Sequence, residues 1–307
     1  MSECKPFVKW VGGKSQLIKD IEKGIPIEFL KSKDATYIEP FVGGGAVLFW
    51  MLQNHLNIKK AVINDINPVL TNAYSVIKNS ANHLIDFLEQ IENKYYSLNT
   101  EDDKKEYFLQ QRENFNLNTS LDVEKAGLFI FLNRTCFNGL YRVNKKGLFN
   151  VPFGRYAKPK ICDKETILTD SKALQKVEIL TGDFSETLNY ANSNSFFYFD
   201  PPYKPISTSS SFTTYTKEDF DDSDQKRLAD FCQQVSNLNA SFILSNSDVK
   251  NTNPNDNFFD DLFRNFSIAR VYASRMINSK SSGRGKISEI LVSNIGDEQN
   301  YEYERAF

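Results

Sequence analysis

Long apolar runs are missing from this chain. No stretch of its 307 residues approaches the ~20 consecutive apolar positions that a membrane-crossing helix needs. The opening MSECKPFVKW lacks the apolar segment of a secretory signal. The expectation is a cytoplasmic protein with no membrane partner. Cysteine is sparse too: Cys4, Cys136, Cys162 and Cys232 are scattered and form no CxxC. That excludes a disulfide framework, leaves reduced thiols, and gives zinc no ligand set. The two histidines, His55 and His83, are isolated. They read as surface imidazoles, so no metal site is expected.

Two further absences are local. No acid occurs between Glu124 and Asp163, where Arg134, Arg142, Lys145, Lys146, Arg155, Lys158 and Lys160 fall. None occurs between Asp261 and Glu289 either, a stretch holding Arg264, Arg270, Arg275, Lys280, Arg284 and Lys286. The net charge of −2 conceals these stripes. Interleaved with Phe, Tyr, Asn and Gly, they suit a polyanion as well as a plain solvated face.

Short β-branched and aromatic runs are present throughout: ATYIEPF, KKAVIND, KVEILTGD, SFFYFD, ASFILSN, SIARVYAS and SEILVSN. Helical patterns fall between several of them (GGAVLFWMLQN, NPVLTNAYSVIKN, SDQKRLADFCQQVSN). This alternation predicts an α/β fold with a mainly parallel, doubly wound sheet. The last two strands flank a Ser/Gly/Lys loop and read as an antiparallel edge hairpin. Residues 76–160 break the rhythm with three helices (ANHLIDFLEQIENKYYSL, DDKKEYFLQQRENF, VEKAGLFIFLNRTC) and a hairpin turning at NKKG. They are taken as an insert in a domain formed by residues 1–75 and 161–307.

Chemistry concentrates at strand ends. In YIEPFVGGG a strand gives way to glycines that open a helix, where backbone can approach a ligand closely. The next strand ends on Asp65, placed to accept hydrogen bonds from ribose hydroxyls. An adenosine derivative is the ligand this pair suggests. FVGGGA is not GxGxxG, so a dinucleotide fingerprint is absent. KWVGGKSQ ends like a phosphate-binding loop, but that loop needs glycine where Val8 stands. In FFYFDPPYKP, Asp200 ends a buried strand. Pro201 and Pro202 fix φ and supply no N–H, which leaves a rigid cluster of acceptors beside the flat face of Tyr203. Acceptors plus an aromatic plate suit an exocyclic amino group with its two N–H donors.

The ordered set FVKWVGGK, EPFVGGG, NDIN, an insert containing RTCFNGLYRVNKKGLFNVPFGRY, and DPPY resembles the α-group amino-methyltransferases that use S-adenosylmethionine. More closely it resembles the Dam-type DNA adenine methyltransferases, including companion methylases of GATC restriction systems. The resemblance implies a Rossmann-like methyltransferase sheet with a helical and β-hairpin target-recognition insert. It also implies methyl transfer to N6 of a flipped adenine in double-stranded DNA, at GATC. Trp10, Lys14, Phe41, Gly43 and Gly45 would line the S-adenosylmethionine site, with Asp65 on the ribose and Asp183 and Phe184 beside the adenine. Asp200, Pro201, Pro202 and Tyr203 would grip the target base, Asp200 also bordering the cofactor. Lys9, Phe137, Asn138, Leu140, Arg142 and Pro152 would meet the duplex, Arg142 as a bidentate guanine contact. Phe137 stands where the family often has Tyr, so a hydroxyl contact is absent there. A cognate restriction endonuclease acting on the same site is the implied partner in function, with no stable protein partner and a monomer expected. The Arg270–Lys286 stretch would hold phosphates, while FTTYTKEDF and SKSSGRGK would be loops that order on DNA. Other readings stay open on the residues alone: N4-cytosine methylation, an RNA or protein-amide substrate, and a non-enzymatic DNA-binding module.

Overall fold

The computed structural model describes residues 3–14, 16–204, 220–274 and 286–296. Apart from their last residues, FTTYTKEDF and SKSSGRGK lie outside that set. The strands are β1 (Ala35–Glu39), β2 (Ile58–Asp65), β3 (Val177–Thr181), β4 (Ser195–Phe199), β5 (Ser241–Ser247), β6 (Ser267–Ser274) and β7 (Lys286–Ser293). They form a 7-stranded sheet in the order β3-β2-β1-β4-β5-β7-β6. The first five pair in parallel. The expected hairpin is present, with β7 running antiparallel to both β5 and β6, so that β6 takes the edge. All strands foreseen from sequence are found, and the doubly wound α/β expectation holds.

The sheet explains why these strands are so apolar. Every residue of β4 is buried, as in a parallel strand covered on both faces. Phe196 and Tyr198 enter one core cluster, Phe197 and Phe199 the other, following the period of two along a strand. Each such ring contributes about 1.5–3 kcal/mol by burial.

Helix α3 (Ala46–Asn54) follows β1 and α8 (Asp222–Asn237) follows the DPPY segment, as expected. Asp221 and Asp224 form a reciprocal capping box at the start of α8, which anchors it on a carboxylate pair. Two helices foreseen on either side of Asn79–Ser80 are one, α4 (Pro68–Ser97), kinked at Ser80 (φ −141°, ψ 34°). Asn67 caps it with Oδ1 on the Val69 N–H, and Pro68 fills its first position. The helix packs on α6 (Val123–Thr135) and α7 (Lys164–Ala173). Four helices were not foreseen: α7, α1 (Ile18–Lys23), α2 (Ile27–Lys31) and α9 (Phe258–Leu262). Three of them are too short for a helical period to register.

The insert's hairpin forms, but as isolated bridges at Val143–Phe149 and Cys136–Phe153 rather than a ladder. Asn116, on α5 (Glu101–Leu117), takes the place of a strand partner: its side chain bonds both the N–H and the C=O of Phe149. Lys125 is buried where α5 ends and donates to the carbonyls of Phe115 and Asn118, groups the helix itself leaves open.

One buried acid is poorly served. Asp170 on α7 is fully buried, accepts the Lys5 N–H at 3.3 Å, and has no partner for Oδ2 among the described residues. Burial pushes its pKa up to about 8, the Lys5 hydrogen bond opposing. A raised folded pKa means that its contribution to stability is complete below the ordinary carboxylate range near pH 4. That contribution is lost as pH rises toward 8. Asp170→Asn cannot ionise, so its melting temperature should rise relative to the parent between pH 6 and pH 9. Parallel melting curves across that range would contradict the burial argument.

Candidate active site at the switch between β1 and β4

β1 and β4 lie side by side and parallel, and the sheet's strand order reverses between them. Both strands therefore deliver their carboxyl ends to one crevice, the place where open α/β sheets bind ligands. Glu39 to Gly45 arrives from β1 and Asp200 to Tyr203 from β4.

On the β1 side the turn is held by β2. Val42 N–H donates to the Asn64 carbonyl, and Asn64 Nδ2 reaches the carbonyls of Pro40 (3.1 Å) and Gly182 (3.0 Å). The Asp65 carboxylate accepts the N–H of Gly43 (3.1 Å) and of Asn67 (2.9 Å). Burial nonetheless pushes its pKa up to about 6, those two bonds opposing. Gly43 and Gly45 both have positive φ (49° and 76°). The sequence reading gave the glycines to a ligand, whereas the structure also packs them on protein. A methyl group on Gly43 would sit 2.9 Å from the Trp10 indole, and one on Gly44 2.8 Å from Trp10 Cβ. At Gly45 it would meet the Tyr74 hydroxyl at 2.4 Å, which itself donates to the Gly43 carbonyl. Trp10 thus lies across the glycine turn, stacked in turn on Tyr141 of the insert (5.7 Å, 21°).

On the β4 side, Asp200 receives the Lys14 ammonium at 2.9 Å and the Ser245 hydroxyl at 3.2 Å. Burial raises its pKa against the pull of the Lys14 charge and of these bonds. Lys14 is itself buried, donates to the Gly12 carbonyl (2.8 Å), and lies 4.4 Å above the Tyr203 ring. Tyr203 donates to Glu289 on β7 at 2.6 Å. The Pro202 carbonyl accepts from Gln225 on α8, whose side-chain oxygen accepts from Asn246 on β5. Nearby Glu39 is buried, accepts from the Tyr37 hydroxyl at 2.8 Å, and is driven well above the usual carboxylate range by burial. The result is an oxygen-rich cluster that holds the Lys14 ammonium.

Asp183 accepts the Ser185 N–H, and both of its oxygens meet Arg227 (2.8 and 2.9 Å). Burial opposes ionisation there, but Ser185 and Arg227 hold its pKa below the ordinary range. Phe184 is buried against Phe41 (5.3 Å) with Arg227 over its ring. Asp183, Phe184 and Phe41 are therefore brought together, joined by a guanidinium that the sequence reading had not foreseen.

The insert gathers a second group. Lys9 lies against Gly139, and its Nζ sits 5.5 Å from the Tyr156 ring. Tyr156 accepts the Asn138 N–H (3.0 Å), and the Pro152 carbonyl accepts the Phe137 N–H (2.8 Å). Phe137 is 52% exposed. Leu140 is half-buried, and Arg142 is exposed with Nε on Asn150 Oδ1 (2.9 Å). Lys9 and Phe137 to Leu140 thus converge, with Arg142 and Pro152 on the same insert. Arg270 does not offer a free charge: it pairs with Asp248 at 3.1 Å and with Asp260 at 2.8 Å. The stretch expected to hold phosphates therefore begins with a charge that β6 places beside two acids, while Arg275, Lys280 and Arg284 lie outside the described residues. Sequence reasoning missed Ser245, Gln225, Glu289, Arg227 and Tyr156. Each bonds its target across the fold or from a distant turn, so no local spacing betrays it.

Residues 10–277 match a family model described as D12 class N6 adenine-specific DNA methyltransferase. The chain is 48% identical over 295 residues to the type II methyltransferase M.MjaIII of Methanocaldococcus jannaschii, covering 95% of this chain and 99% of that protein. It is 40% identical over 298 residues to the type II methyltransferase M1.LlaDCHI of Lactococcus lactis subsp. cremoris, covering 95% and 96%. A DNA adenine methylase of Vibrio cholerae is 34% identical over 293 residues, with 95% and 96% covered.

The Lys14–Asp200 pair has a measurable consequence. The raised Asp200 pKa means that this carboxyl's stabilising contribution is present below about pH 4 and is lost as pH climbs through the folded value. Removing Lys14 raises that value further. Lys14→Met should melt on the order of a few degrees lower than the parent at pH 8 and nearly level with it at pH 5. An equal deficit at both pH values would mean that packing, not charge, explains the loss.

Proposed function

The chain belongs to the D12 class of N6 adenine-specific DNA methyltransferases, and on that premise we propose how its residues divide the work. The family activity is transfer of a methyl group from S-adenosylmethionine to the N6 amino group of adenine in DNA. It leaves the cytosine-N4, RNA or protein-amide and non-enzymatic readings without support. The observation that carries the assignment of roles is the acceptor cluster around Asp200, set beside the glycine turn by the β1–β4 pairing.

The donor set fits the cofactor. Asp65 has spent its oxygens only on backbone N–H groups, and each retains a lone pair for a ribose hydroxyl. Trp10, Phe41, Gly43 and Gly45 form the wall beside it, and Asp183 and Phe184 close the far end. When bound, S-adenosylmethionine supplies a methyl group on a positively charged sulfur, already electrophilic.

The chain's own task is placement. A duplex adenine hides its amino group, so the base is flipped out at a cost of a few kcal/mol. Tyr203, fixed by Glu289, offers its ring as the stacking surface. The Asp200 carboxylate and the Pro201 carbonyl accept the two N6 hydrogens and aim the nitrogen lone pair; the Pro202 carbonyl is already taken by Gln225. As the nitrogen takes on the methyl group and positive charge, the Asp200 carboxylate compensates that charge, and the surplus N6 proton then leaves to solvent. Lys14 and Ser245 both bond Oδ1 of Asp200, so the other carboxylate oxygen is the one that meets the amine.

We assign the target sequence as GATC, read by Lys9, Phe137, Asn138, Leu140, Arg142 and Pro152. The insert, residues 76–160, serves as the recognition domain. A restriction endonuclease sharing the site is the natural counterpart, since two of the relatives are named type II methyltransferases. The place of action is the cytoplasm, on the cell's own DNA. No described helix is long and apolar enough to cross a membrane.

Incubation with tritiated S-adenosylmethionine and two duplexes differing in one GATC, followed by nucleoside analysis, tests base and site together. Label in N6-methyladenine from the GATC duplex alone is expected. Label from both duplexes would remove the GATC assignment. Asp200→Ala should reduce transfer to background with an unchanged circular dichroism spectrum, whereas retained turnover would remove Asp200 from the mechanism. Arg142→Ala should lose ~1–3 kcal/mol of discrimination at one base pair. Uniform weakening on every duplex would make it a phosphate contact instead.

A further inference from the structure

A buried amide sits under the insert's exposed turn. Asn133, in the last turn of α6, is 1% exposed. Its Oδ1 accepts the Lys9 N–H at 2.8 Å, while Nδ2 donates to the Lys9 carbonyl at 2.9 Å and to the Gly139 carbonyl at 2.8 Å. One side chain thereby occupies both backbone groups of a residue that belongs to no helix or strand and ties it to the turn Phe137–Gly139. Only an amide can do this. It offers one acceptor and two donors, whereas a carboxylate would face two carbonyls with no hydrogen to give.

Gly139 supplies a second, independent observation. Its φ is 66°, and a methyl group there would lie 2.5 Å from Lys9 Cδ and 3.1 Å from Lys9 Cβ. The aliphatic stem of Lys9 therefore rests on a backbone surface cleared for it, and its ammonium emerges beside Tyr156. Tyr156 holds the Asn138 N–H, so Lys9, Asn138 and Tyr156 are mutually positioned. A lysine has four flexible side-chain torsions. Without a fixed backbone and a fitted surface its charge would contact phosphate and base edge alike.

We propose that Asn133 is a positioning residue for sequence discrimination: by clamping the Lys9 backbone onto the Gly139 turn, it aims the Lys9 ammonium at one base edge of the target. This rests on the reading of Lys9 as a base contact. Asn133 touches no DNA and acts through Lys9. Its loss converts a directed charge into a general one, so binding survives through phosphate attraction while selectivity at one position falls.

The experiment measures kcat/KM on GATC and on duplexes changed at each single base pair, for the parent, Lys9→Ala, Asn133→Leu and the double variant. Gly139→Ala is included because its methyl group presses on the Lys9 stem, and on the Asn133 main-chain carbonyl at 3.2 Å, while the Asn133 amide itself is kept. Lys9→Ala is expected to reduce discrimination at one position by tenfold or more. Asn133→Leu and Gly139→Ala should reduce it at that same position, and the double variant should be no worse than Lys9→Ala. Suppose Lys9→Ala alters one position but Asn133→Leu and Gly139→Ala slow all duplexes by a common factor. The positioning role is then overturned while the Lys9 reading stands. If Lys9→Ala leaves every position unchanged, both fall. Should Asn133→Leu not fold, Gly139→Ala and Lys9→Ala alone decide in the same way.

Discussion

The pairing of β1 with β4 is the constraint on which the rest depends. Thr36, Tyr37 and Ile38 face Ser195, Phe196 and Phe197 in parallel register, so two strands far apart in the chain end at one edge. The helix after β1 begins there with glycines, and β4 ends there in Asp200 and two prolines. A shift of register by one residue would turn the side chains of β4 to the opposite core and carry Asp200 away from the turn. The aromatic burial that fixes this register is therefore as much a part of the site as the acid itself.

Around that edge, polar groups are held by neighbours from every side. Asp200 leans on Ser245 and Lys14, Pro202 on Gln225 and through it Asn246, and Tyr203 on Glu289. These bonds serve geometry more than stability. A buried ion pair repays its desolvation poorly, but it confines a carboxylate to one orientation. Asp65 and Asp200 both carry raised pKa values because burial penalises their charged forms.

Trp10 joins the two halves of the molecule. Its indole covers the glycine turn on one side and stacks on Tyr141 of the insert on the other, while its chain neighbour Lys9 is clamped to the insert by Asn133. Consecutive residues of the N-terminal arm therefore face the glycine turn and the turn Phe137–Gly139.

The sequence by itself determined the strands and the residue types at their ends. Apolar runs stopping on Glu39, Asp65 and Asp200, glycines opening a helix, and an acid-free insert are local patterns set by backbone sterics and periodicity, and they sufficed for the fold class; the family was legible only through the resemblance of the ordered motifs. Tertiary structure alone decided who holds whom. Arg270, legible as one more basic residue, is neutralised because β6 lies beside Asp248 and Asp260. Lys14, assigned to the cofactor wall, rests on Asp200 because the N-terminal arm folds over the β4 end. Glu289, Gln225 and Asn133 carry no motif at all. Hydrogen bonds act over about 3 Å between groups that may be any distance apart in the chain, so spacing cannot encode them and only the packed fold brings them together.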